Sequence, residues 1–153
     1  MATPAWAGYT NAILAACKAS SSFTDVDIFD GFEVKADNLP KGLVIGNDGV
    51  GQSQGVAGSF IANFKTIGAR RMEEEGLLHC YLYANSGDTD SIGDCRQIAS
   101  AMLSNFDTLL RSDVSLSHVV QYSGIHDASI MYISSTKGNA VKISFSIHYT
   151  AIT

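Results

Sequence analysis

The residues best suited to chemistry are few and scattered. Ser53 stands in Gly51-Gln-Ser53-Gln-Gly55, a match to the G-x-S-x-G pattern of a nucleophile elbow. That motif needs a strand before the serine and a helix after it, so that the hydroxyl sits on a sharp, exposed turn. The residues after Gly55 read instead as strand. His126 and Asp127 would complete a Ser–His–Asp set, but no pattern of elements ties them to Ser53. A phosphate loop would need a lysine after its last glycine, and residues 46–58 contain no lysine. The plainer reading of this glycine-rich stretch is a mobile connecting loop.

Metal chemistry fares no better. His79, His118, His126 and His148 are not spaced from one another, or from a cysteine, as ligands on one element would be. Glu73, Glu74 and Glu75 are consecutive, and consecutive strand residues point to alternate faces, which argues against a three-carboxylate site. Asp88-Thr-Asp90 looks like a fragment of a calcium loop without the later glycine and glutamate. Helix capping suits it better, with Asp88 as N-cap and Asp90 near the positive helix end. Cys17, Cys80 and Cys95 are odd in number, far apart and at apolar positions, so they read as buried free thiols in a reducing compartment. Leu14-Ala-Ala-Cys17 has the look of a lipoprotein cleavage box, but the first basic residue, Lys18, comes after it. No catalytic residue, metal or cofactor is predicted.

The elements that would have to position such residues are clearer. The chain has 153 residues, 46% of them hydrophobic and 16% charged, with a net charge of -5. That suits a single globular domain, residues 1–153, with a sizeable core. There is no global basic excess for nucleic acid; Lys65, Arg70 and Arg71 are the nearest approach to a basic patch. No apolar run approaches the ~20 residues of a membrane span.

Thr3-Pro4 reads as a helix start, and Trp6, Tyr9, Ile13, Leu14 and Cys17 recur at helical spacing, predicting a helix over 4–19 with these residues in the core. Residues 26–35 read as a strand interrupted at Asp30-Gly31, and 43–45 as a short buried strand. A strand over 59–66 leads into an extended run over 68–84, which as one strand would be about 50 Å long at ~3.3 Å per residue. Such a length implies projection beyond the core or a bend at Gly76. Leu78, Cys80, Leu82 and Ala84 form an inward face, whereas Arg70, Arg71, Glu73, Glu74 and Glu75 make the first half too charged to bury in its own domain. These five residues are the candidate site: a surface either solvated or reserved for a neighbouring subunit.

Residues 91–111 carry a helical stripe of Ile92, Cys95, Ala99, Met102, Leu103, Phe106, Leu109 and Leu110. Strands are expected over 117–122 and 128–134, joined by 123–127, with a tight turn at Lys137-Gly-Asn139. In the last strand Val141, Ile143, Phe145, Ile147 and Tyr149 alternate with polar residues, implying one buried face and antiparallel pairing. The order α-β-β-β-β-α-β-β-β predicts an α+β two-layer domain: a largely antiparallel or mixed sheet packed by two helices, with a projecting β-hairpin.

The segment Gly68-Ala-Arg-Arg-Met-Glu-Glu-Glu-Gly-Leu-Leu-His-Cys80, then Ser86-Gly-Asp-Thr-Asp90, then a helix ending Leu109-Leu-Arg-Ser-Asp113, resembles the tail terminator proteins of long-tailed (siphovirus-type) bacteriophages, especially those infecting actinobacteria. In those chains, too, an N-terminal helix precedes an Asp-Gly strand, here Phe29-Asp-Gly31, and a short apolar strand and a polar loop follow. A final hairpin ends the chain. The resemblance covers nearly the whole length and rests on order and spacing. It implies a virion structural protein, not an enzyme, assembled in the host cytoplasm. It would form a hexameric ring at the head-proximal end of the tail, stop polymerisation of the tail tube and offer a surface for head–tail joining. The implied partners are other copies of the chain, the tail tube protein and a head–tail connector or neck protein. Genomic DNA would pass through the lumen without sequence recognition, and no membrane is involved. Residues 60–75 would reach toward an adjacent protomer, with Arg70 and Arg71 against Glu73, Glu74 and Glu75. A tail tube or head-completion protein, and a small hydrolase using Ser53, stand as alternatives.

Overall fold

The structure is a computed structural model, and it describes residues 4–32, 41–50, 54–64, 72–86, 92–116, 118–135 and 138–152. Two helices, α1 (Trp6–Ala19) and α2 (Ile92–Ser112), pack against one face of a mixed six-stranded sheet. The strands are β1 (Asp27–Asp30), β2 (Lys41–Ile45), β3 (Gly58–Phe64), β4 (Met72–Ser86), β5 (Tyr122–Ser135) and β6 (Gly138–Ile152). The sheet order is β1-β2-β4-β6-β5, and β3 pairs with β4 beyond the end of β2. Among the described residues only β1 and β2 run parallel; every other pairing is antiparallel. This is the α+β two-layer domain that the alternation of apolar residues predicts.

The core follows the two periodicities. From β4, Leu78, Cys80, Leu82 and Ala84 are buried on the helix face; from β6, Val141, Ile143, Phe145, Ile147 and Tyr149 join them. From α2, Cys95, Ala99, Met102, Phe106 and Leu110 come down on these strands, with Phe106 edge-on to Phe145 at 5.1 Å. Such tilted and edge contacts suit the aromatic quadrupole. Tyr9, Ile13, Leu14 and Cys17 of α1 are buried as expected, but Trp6 is not. It lies one turn before Tyr9, at the very start of the helix, and stays 43% exposed.

The opposite face of the sheet is partly covered rather than solvated. Val44, Tyr81 and Tyr83 form a small second cluster with Phe29 beside it. The start of the glycine-rich loop closes over it. Asn47 donates through Nδ2 to the Gly31 carbonyl at 2.8 Å and accepts from the Gly49 amide at 2.8 Å. The amides of Gly46 and Asn47 both donate to His79 O, and Lys142 Nζ, 4.5 Å from the Tyr81 ring centroid, donates to Gly49 O. Residues 46–50 are therefore pinned to the sheet, contrary to a wholly mobile loop; residues 51–53, with Ser53, lie outside the described residues.

Two local expectations are corrected. Among the described residues two strands follow α2, not three. Residues 118–121 form turns, and β5 runs unbroken from Tyr122 to Ser135. The stretch 123–127 that reads as a connection is strand with a bulge between Ile125 and Asp127. A bulge inserts one residue without ending the ladder, so the apolar alternation slips there and mimics a break. Gly76 is likewise no bend. It keeps register with Phe60 on one side and Tyr149 on the other. A Cβ there would stand 2.5 Å from the Tyr149 ring, so glycine makes room for the tyrosine to lie across the strand. Gly31, by contrast, takes φ 77° immediately after β1, a left-handed conformation that ends the strand.

Candidate subunit interface

The candidate surface is built on β3 and the first half of β4. β4 is central here: between Met72 and Leu78 it is flanked by β3, and from Glu73 it is paired with β6 as well. Arg70 and Arg71 lie outside the described residues, as do the other residues of 65–71. The described glutamates of this run are divided between two faces, because alternate strand residues face opposite sides.

Glu74 points into the fold and is 2% exposed. Its Oε1 and Oε2 accept from the Ala5 amide at 3.0 and 3.1 Å, and Oε2 accepts from Tyr149 Oη at 2.9 Å. A free amide at a helix start is an unsatisfied donor at the positive end of the dipole, and a carboxylate is the natural partner for it. Ala5, at the N-cap position of α1, has no side chain able to make such a bond. Glu74 thus caps α1 from a strand far away in sequence. This corrects the expectation that the charged run could not bury itself: Glu74 is committed inside its own domain. The period of two would have found it, since 74 has the same parity as the buried 78, 80, 82 and 84. The run of three glutamates masked that signal. Burial first, and then the hydrogen bond to Glu74 and its charge, push the Tyr149 phenol well above the usual tyrosine range.

Glu73 and Glu75 face the other way. Glu75 is exposed and its Oε1 lies 2.8 Å from His148 Nε2 on β6. His126, in the bulge of β5, sits next in the row, with its ring centroid 6.2 Å from that of His148. Glu75, His148 and His126 border an open cleft of about 440 Å³ beside Phe60 and Ile61 of β3. No group of three or more His, Cys, Asp or Glu among the described residues is arranged to hold a metal ion. Asp127 is exposed, one residue beyond the bulge.

β3 itself is the open part of the surface. Ser59, Phe60, Ile61, Ala62 and Asn63 are all exposed, Ile61 to 65%. The strand carries no charge. On the helix face, Phe60 and the exposed Trp6 border an apolar pocket of about 250 Å³ floored by Leu78 and Tyr149. Sequence reasoning placed the interface in the charged half of β4; it passed over Trp6, assigned to the core, and the absence of charge from β3.

The thiols are where composition puts them. Cys17, Cys80 and Cys95 are free and buried, and burial pushes Cys17 and Cys80 up to about 12. No helix among the described residues is long and apolar enough to cross a membrane. No protein-family model and no curated protein matches the chain.

Proposed function

We propose that this chain is a phage virion structural protein, a tail terminator that forms a hexameric ring on the head-proximal end of the tail tube. The order and spacing of its elements resemble that family. The observation that supports assembly best is the β3 strand, an uncharged edge whose side chains from Ser59 to Asn63 are all exposed. A strand of this kind is a template for a neighbour. Head-to-tail contacts made by such a surface close a ring when the rotation per subunit divides a full turn. Glu73 and Glu75 flank it and are available to a neighbouring protomer, and Arg70 and Arg71 would serve with them; Glu74 is excluded by its role in α1. The ring would meet the tail tube protein on one side and a connector or neck protein on the other.

Electron microscopy of the purified protein, alone and with tail tubes, tests this reading. Single six-fold rings, or rings seen only at tube ends, support it. Long stacks of the protein alone would favour the alternative of a tail tube protein. Removing residues 60–75 is not a clean test of the interface, because it also removes Glu74 and the start of the central strand. Ile61→Asp is better, since that side chain is exposed in the free chain. It should abolish rings while leaving the thermal midpoint within a few degrees. An oligomer unchanged by Ile61→Asp sinks the role given to β3. Failure of a fluorophosphonate probe to label Ser53 would remove the remaining enzymatic alternative.

A further inference from the structure

Among the described residues, β5 is the outer strand of the sheet and pairs on one side only, with β6. Edge strands of stable monomers are blunted by charge, by proline, by a bulge or by brevity. The bulge at Ile125/Asp127 does this near the start of β5. From 128 to 135 no charged residue, proline or glycine is present. Within that stretch four consecutive large side chains are exposed: Ile130 to 64%, Met131 to 57%, Tyr132 to 57% and Ile133 to 42%. Ile130 and Tyr132 pair with Ile143 and Val141 and share the face that carries α2; Met131 and Ile133 pair with Lys142 and Ala140 and share the other. A partner docked on either face would leave the other face and the edge uncovered. A strand added to the edge flanks both faces and continues the hydrogen-bonded ladder.

We infer that residues 128–134 of β5 form a homotypic dimerisation site, pairing antiparallel with β5 of a second copy across a two-fold axis. The charge pattern selects this occupant. In a two-fold contact residue i of one copy meets residue j of the other and j meets i, so both sides of the pairing come from this one stretch, which holds no charge to set against a like charge or to bury unpaired. β3, the other uncharged edge, is taken up by the proposed ring contact and lies at a different height on the sheet. Ile61 lies in one row with Glu75, Thr150 and Tyr122, so β3 is level with the start of β5 and not with Ile130 to Ile133. β1 carries Asp27 and Asp30 in only four residues. A two-fold axis normal to the sheet leaves every side chain on its own face, so only residues of like parity can oppose one another. The axis therefore passes through one residue position: Met131 when the whole of 128–134 is paired, Tyr132 when 130–134 is paired. Tyr132 is already held in place: Arg96 Nε donates to its Oη at 3.0 Å and the guanidinium lies 5.5 Å over the ring centroid.

Met131→Cys and Tyr132→Cys, made singly and oxidised mildly, test the site, since the native thiols are all buried. One of the two should give a disulfide-linked dimer, whereas Val119→Cys, exposed before β5, should not. Ile61→Asp protein, which lacks the ring contact, should sediment as a dimer at micromolar concentration, and adding Met131→Lys should weaken that dimer about tenfold or more with an unchanged circular dichroism spectrum. An Ile61→Asp monomer throughout the concentration series overturns the inference, as does cross-linking of both cysteine variants no faster than Val119→Cys. A two-fold contact is not one of the repeated contacts of a single cyclic ring, so the inference stands apart from the ring reading. Rings that persist in Met131→Lys, together with Met131→Cys and Tyr132→Cys proteins that give no disulfide, overturn the dimer alone. A β5 dimer that makes no ring in the presence of tail tubes overturns the terminator reading alone.

Discussion

Glu74 shows how one carboxylate joins two distant parts of the chain. It takes the first free amide of α1 and the hydroxyl of Tyr149 at once. Glu74→Ala leaves both donors buried without a partner and should cost about 2–4 kcal/mol in urea unfolding. Glu74→Gln keeps an acceptor oxygen and should cost less than half of that. Gly76→Ala should cost about 1–3 kcal/mol through overpacking against Tyr149, read by the same measurement. The buried thiols set a pH dependence. Cys17 and Cys80 rise from an ordinary value near 9 to about 12 in the fold, so above pH 9 the unfolded chain loses protons that the folded chain keeps. Stability is then full below pH 9 and should fall as pH rises towards 12, by about 1.4 kcal/mol per unit for each thiol. Denaturant midpoints measured between pH 7 and 11 check the sign. A midpoint that rises with pH contradicts it.

At the scale of elements, α2 depends on its stripe. Phe106 is fully buried and packs on Phe145, so Phe106→Ala should cost about 3–5 kcal/mol, and a charge at Phe106 or Met102 should leave no cooperative transition in a melt. The stripe was legible in the sequence because a helix that covers a sheet must repeat its apolar residues at close to 3.6. β4 was half legible. Its inward face at 78, 80, 82 and 84 stood out, yet the same parity continues through Gly76 to Glu74, where a space and a buried carboxylate replace apolar side chains. β5 was misread as two strands, because a bulge changes the phase of the alternation without breaking the backbone ladder. Nothing local in Trp6 distinguishes it from Tyr9; Tyr9 packs on Tyr149, whereas Trp6 stands at the rim of the pocket beside Phe60.

As a whole molecule the chain has one main core, shared by α1, α2 and five of the six strands. Far-ultraviolet and near-ultraviolet circular dichroism should therefore report coincident thermal transitions. Separate midpoints would mean that α1 or the β3–β4 hairpin unfolds on its own. Two uncharged edges, β3 and β5, remain at opposite sides of the sheet, at different heights along it. An assembly protein keeps such edges because partners cover them. The two predicted contacts separate cleanly: Ile61→Asp acts on the ring, and Met131→Lys acts on the dimer.

By itself the sequence determined the class of the fold, the stripe of α2, the inward faces of β4 and β6 and the burial of the thiols. Each of these is written in a local period, and hydrophobic burial enforces a period wherever it runs unbroken. Tertiary structure alone decided the fate of the charged run that had stood as the candidate site. Whether a glutamate faces water, a neighbour or a helix end depends on what the fold brings beside it. For Glu74 that was the amide of Ala5, 69 residues away. It also decided which strands became edges, since strand order follows from pairing across the sheet and leaves no mark on the strand itself.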